Sequence, residues 1–202
     1  MKLTTTCILS AAIIFSACSS NTKRITILGK GKVNVDTKTK TITIQNGAGT
    51  IEQTTDFNAN GPLSIKLNVD GKESTINISE NGLYILNAKN DTVVGSYQKY
   101  AEAKSNYDVI KQDMLKHAID SLNLLIQNKN VSVANRNFYI EPFNAVKVTN
   151  NIDATVVTPY HRMTSIEQVG DKEPEVYRFW SIKEIRDEMI PKLAKDTVSI
   201  KK

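Results

Sequence analysis

From Ile25 to about Tyr97 the chain alternates apolar and polar residues, with turn signals between the runs. Ile25 and Ile27, Val33 and Val35, and Ile42 and Ile44 each place their apolar side chains on one face of an extended segment. Leu63, Ile65, Leu67 and Val69 form the cleanest period-2 run, and Ile76, Ile78, Leu83, Ile85, Val93 and Val94 continue the series. Asn46-Gly47, Asn60-Gly61-Pro62, Asn81-Gly82 and Asn90-Asp91 punctuate it. Asp70-Gly71 has the chemistry of a type I′ hairpin, in which both central residues take positive φ. The pattern predicts about seven short strands in an antiparallel meander, closed as a sandwich or partial barrel.

The period then changes. Residues 100–128 contain no Gly or Pro, and Tyr107, Ile110, Met114, Ala118, Leu122 and Leu125 recur at helical spacing. This predicts a long amphipathic helix docked on the open side of the sheet. Phe138–Ile140, Ala145–Val148 and Ala154–Val157 read as further strands, and residues 170–174 as a charged loop. Ser181-Ile182-Lys183-Glu184 reads as a capping box opening a C-terminal helix, which Pro191 should kink. The fold class expected is therefore α+β: a β-rich domain over residues 25–97, then an α+β section over 98–202 that either shares its core or forms its own.

The first 17 residues belong to neither pattern. Met1-Lys2 is a short positive start, Ile8–Phe15 an apolar run, and Ser16-Ala17 a pair of small residues before Cys18, the layout of an export signal. Cysteine directly after Ser-Ala resembles the lipobox of bacterial lipoproteins. That resemblance implies cleavage before Cys18, lipidation of Cys18 with acyl chains such as palmitate, and a mature chain that begins there, with residues 18–24 as a tether. Ser19 is not the Asp that retains enteric lipoproteins at the inner membrane, and the tether carries no acidic run. The resemblance thus implies a location in the cell outer membrane, facing the periplasm. A spanning helix and cleavage at an ordinary secretory site are the rival readings, but Leu3–Ala17 is shorter than the roughly 20 apolar residues a span needs, and an ordinary site leaves the cysteine at the cut unexplained. In its Asn- and Lys-rich strands joined to a helix, the remainder resembles uncharacterised envelope lipoproteins of Bacteroidota, without a diagnostic motif.

Composition narrows the chemistry. The chain carries 26 basic and 21 acidic residues, and loss of Lys2 with the signal leaves a small, scattered positive excess. That is no nucleic-acid signature. Of the two cysteines, Cys7 would leave with the signal and Cys18 would be lipidated, so no thiol remains for disulfides, metal binding or thiolate chemistry. His117 and His161 are the only imidazoles, and neither has a metal-ligand spacing, so no metal or other cofactor is expected. Gly95-Ser96 lacks the second glycine of a nucleophile elbow. Gly29-Lys30-Gly31-Lys32 lacks the phosphate-loop pattern and reads as a turn. Tyr177 and Trp180, with Tyr160, are the candidate ring platforms for a sugar, against a core role for the same aromatic cluster. Asp196-Thr197-Val198 resembles an O-glycosylation site of Bacteroidota, as do two like sequences at Asp91 and Asp120.

The function expected is non-enzymatic: a lipid-anchored protein that binds or scaffolds another envelope protein or a glycan. The alternatives are a cell-wall or polysaccharide hydrolase and a small-ligand carrier. Cys18→Ala tests the anchor. Fractionation and immunoblotting should show an uncleaved precursor and loss of the mature, membrane-bound form. A variant that is still processed and membrane-bound overturns the lipoprotein expectation.

Overall fold

The computed structural model describes residues 21–98, 112–161 and 174–199. Cys18 and the signal segment, Tyr107 and Ile110 of the helical stripe, and most of the 170–174 loop lie outside the described residues. The molecule is mostly β, with two sheets and helical segments packed in layers. One sheet has six strands: β1 (Thr22–Asp36), β2 (Thr41–Asn58), β3 (Leu63–Val69), β4 (Lys72–Ile78), β5 (Gly82–Asn87) and β8 (Ala145–Thr149), in the order β4-β3-β2-β1-β5-β8. The other has β6 (Val93–Gln98), β7 (Asn137–Ile140), β9 (Thr155–Val157) and β10 (Val176–Ser181), in the order β7-β6-β10-β9.

Period-2 alternation decides which face each residue serves. On β1 and β5, Ile25, Ile27, Tyr84 and Leu86 point inward. There they join Ile42, Ile44, Phe57, Leu63, Ile65 and Leu67 in a core that the six-stranded sheet wraps around. Leu28 and Ile85 point outward, against Val93, Phe138, Ile140, Tyr177 and Phe179 of the second sheet. The far face of that second sheet carries Val94 and Trp180, which pack on Leu122, Leu125 and Ile126 of helix α1 (Gln112–Ile126) and on Ile185.

Several expectations need correction. The sheets are not an antiparallel meander, because β1–β5, β2–β3 and β9–β10 pair in parallel. Neither Gly29–Lys32 nor Asn46-Gly47 is a turn. Both lie inside the long strands β1 and β2, which pair from Thr22↔Asn58 to Asp36↔Thr41 with a register break at Lys30/Lys32. The backbone at Gly31 (φ +105°) passes so close to β2 that a Cβ there would meet the Gln45 carbonyl oxygen at 1.9 Å. Strand β1 already begins at Thr22, so Lys23 and Arg24 are sheet residues rather than tether. Lys23 is buried and donates to Asn81 Oδ1 (2.7 Å) and to the Ala59 carbonyl (3.2 Å). The expected Asp70-Gly71 hairpin is present, with φ of 49° and 82°.

At the C-terminus, α2 (Ile182–Glu184) widens into a π-helical stretch, Ile185–Met189, before α3 (Ile190–Ser199). The Ile190 N–H reaches back to the Ile185 carbonyl. This widening just before Pro191 suits a residue that has no N–H and crowds the carbonyl four residues back. The capping box is not closed by Ser181. Its hydroxyl donates instead to Asp91 (2.6 Å) in the β5–β6 turn.

Gly61 has nearly the same φ as Gly31, +100°, but open space where a Cβ would go. Gly61→Ala should therefore cost about 1–2 kcal/mol from backbone strain alone. Gly31→Ala should cost about 3 kcal/mol or more, because the β2 backbone must also move. Urea unfolding of the two variants checks the ranking.

Candidate functional site

The second sheet covers the outward face of the first only as far as β9, its last strand. Among the described residues the face beyond β9 is open, and the gap is a cleft of about 630 Å³. Its floor is formed by Arg24 and Thr26 of β1, Thr54 and Glu52 of β2, and Leu83 of β5, and Arg24 pairs across the strands with Asp56. Its wall is the run from Ile152 to Thr158, which contains β9.

Arg24 closes one end. Its Nε and Nη2 bind the two Asp56 oxygens at 2.7 and 2.8 Å, and its Nη1 binds Asp153 Oδ1 (2.9 Å) and the Ile152 carbonyl (3.1 Å). One planar guanidinium thus ties the β8–β9 turn to the floor, which a lysine has neither the donors nor the fork geometry to do. The Arg24 hydrogen bonds hold the Asp56 carboxyl below its ordinary range, and the same bonds raise the Arg24 pKa further. In the middle, the Thr26 and Thr54 hydroxyls share a 3.0 Å hydrogen bond. His161 closes the other end, its Nε2 lying 3.0 Å from Glu52.

The turn that carries His161 is held from beneath. Glu184 Oε1 accepts the Tyr160 N–H (3.1 Å), Arg178 donates to the His161 carbonyl (3.3 Å), and Tyr160 takes φ +65°, unusual for a bulky residue. Burial raises the Glu184 pKa, with the Tyr160 and Ser181 amides opposing. Behind the wall, Glu175 accepts from Tyr177 (2.6 Å), Thr149 (2.8 Å) and Asn151 (3.0 Å), which joins β10 to the start of the β8–β9 turn. Burial, and then Glu175, pushes the Tyr177 hydroxyl up to about 12.

No protein-family model, curated protein or solved structure matches this chain.

Of the aromatic residues singled out by sequence, Tyr177 and Trp180 are buried in the two cores that flank β10, whereas Tyr160 is 53% exposed beside the cleft. His161 is in the cleft and His117 lies on the exposed surface of α1. Among the described residues no group of three or more His, Cys, Asp or Glu side chains gathers as a metal site. Gly95 lies mid-strand under the Phe179 ring, where a Cβ would meet ring carbons at 2.3 Å. Thr197 is in α3, with its side chain outside the described residues.

The sequence reading missed Arg24, Thr26, Glu52, Thr54 and Asp153. Their polar positions alternate with core residues along β1 and β2, which signals a sheet face but not one bordering a cleft.

Arg24→Ala should loosen the β8–β9 turn, seen as faster amide exchange at Asp153 and Ala154. It should also cost about 1 kcal/mol, a figure already reduced for solvent screening at this half-exposed pair. Because the folded state lowers the Asp56 pKa, the pair's contribution is complete at neutral pH and is lost as pH falls through the folded Asp56 pKa. The stability gap between wild type and Arg24→Ala should therefore narrow below about pH 4.

Proposed function

We propose that the chain is a lipid-anchored protein of the bacterial envelope, held at the outer membrane and facing the periplasm, whose folded part binds a protein or glycan partner without transforming it. The cleft beside β9 carries this reading. Its volume lies in the range of ligand sites, and it combines apolar side chains with a few fixed polar groups.

Two features favour binding over the rival roles. Asp56 and Asp153 are held by the Arg24 guanidinium, and Glu52 lies 3.0 Å from the His161 imidazole. A general acid instead needs a carboxyl whose pKa is raised, and among the described residues the carboxyl that burial raises, Glu184, is not one of the cleft residues. A carrier needs space inside the wrapped sheet, where Ile27, Ile42, Ile65 and Leu67 are packed side by side.

Thr54 is exposed on the cleft floor, so Thr54→Trp should fill the cleft without disturbing the core. An affinity pull-down from detergent-solubilised envelope should then lose the partner recovered by wild type, while unfolding stays cooperative at a slightly lower melting temperature, because the Thr26 hydroxyl loses its Thr54 partner. Recovery of the same partner by both proteins would mean that binding does not use the cleft.

A further inference from the structure

The cleft wall is a strand edge. Among the described residues β9 pairs with β10 on one side only, with Thr155 opposite Val176 and Val157 opposite Arg178. The Thr155 N–H donates to the Glu175 carbonyl, which turns Thr155 toward β10. Backbone groups alternate along a strand, so Val156 directs its N–H and C=O the other way, into the cleft. The Ala154 carbonyl and the Thr158 N–H share that direction. Such an edge takes up an extended chain by main-chain hydrogen bonding. The incoming strand would extend the second sheet over the part of the first that β9 leaves open, repeating the layering already made by β9 and β10.

Charge selects among such chains. Glu52, Asp56 and Asp153 are three carboxylates around one guanidinium and one imidazole, in a chain whose net charge is +5. The acidic groups mark the two ends of the floor. Asp56 and Glu52 are four residues apart on one face of β2, about 13 Å at the rise of a strand. An extended peptide spans that distance in four residues and brings side chains i and i+4 to the same face.

Resting on the binding role proposed above, we propose that the cleft binds an extended segment of a partner protein as a further strand on β9, with basic residues at positions i and i+4 and β-branched residues between them. Lysine or arginine at those positions meets Glu52 at one end and, at the other, Asp153 beside the Asp56 carboxylate that Arg24 already holds by both oxygens. Acidic residues there meet like charge, which costs affinity steeply.

The test pans a displayed library of random heptapeptides on the full chain in detergent, against the Thr54→Trp variant, with soluble peptidoglycan fragments as a parallel probe. The expected outcome is enrichment of peptides with Lys or Arg four residues apart, lost in Thr54→Trp. The best peptide should bind at least about tenfold more weakly when both basic residues become Glu. In amide exchange of the complex, the Val156 and Thr158 N–H groups should slow at least about tenfold. Acidic or uncharged consensus peptides, or binding that leaves the Val156 N–H unprotected, overturn the proposal. Peptidoglycan fragments that bind wild type and not Thr54→Trp, with no peptide enriched, overturn the strand-addition inference and leave the broader binding role standing. If neither probe depends on the cleft and the envelope pull-down does not either, both fall.

Discussion

The burial of β5 on both faces is the constraint on which the rest of the structure depends. All six of its residues are buried, because Tyr84 and Leu86 fill the core of the wrapped sheet while Ile85 fills the core between the sheets. Each such aliphatic side chain contributes about 1.5–3 kcal/mol on leaving water. The strand ends at Asn87, a buried amide whose hydrogen bonds must all be met inside the protein. Its Nδ2 donates to the Asp91 and Ile140 carbonyls, and its Oδ1 accepts the Lys89 N–H. A one-residue slip of β5 would bring its core residues to the wrong faces and leave that amide unpaired. Asn87 thereby fixes where β6 and β7 sit over the first sheet.

That placement determines the cleft. With β6 and β7 fixed, β10 and then β9 follow at one strand spacing each, and the second sheet ends above Thr26 and Thr54. The close approach at Gly31 acts at the other end of β1. It lets β1 and β2 stay paired while Gly31 alone opposes the four residues 46–49, so the sheet can bend around its own core. Arg24 then fastens the β8–β9 turn to the floor that this bend leaves exposed. Cleft, clamp and bend are thus consequences of two long strands that face different partners along their length.

Much of this was legible from alternation alone. Ile25/Ile27, Ile42/Ile44 and Leu63–Val69 are inward residues, and the helix stripe at Leu122 and Leu125 does pack on a sheet. What alternation cannot carry is the identity of the neighbour. A period of two reports a strand's faces and is the same for parallel and antiparallel pairing, so β1–β5 and β2–β3 were hidden. Gly31 was misread because positive φ serves a bulge as readily as a turn. Strand β10 was read only as an aromatic cluster, yet Val176-Tyr177-Arg178-Phe179-Trp180 is a run of strong strand formers. Among the candidate site residues, Tyr160 and His161 lie at the cleft because they follow its wall. Arg24 was passed over because a charge near the start of a chain reads as solvated tether.

The sign of the cleft also follows from pairing rather than composition. A net charge of +5 suggests attraction to anions, and Arg24 is the natural place to look for it. Its Nε and both terminal nitrogens are already engaged by Asp56, Asp153 and the Ile152 carbonyl. An anionic ligand would have to displace a bidentate carboxylate and release the turn that forms the cleft wall. A cation has only to approach carboxylates whose side chains keep part of their surface in solvent, most of all Asp153. The residue that gives the cleft its shape therefore leaves to its acidic neighbours the choice of what enters.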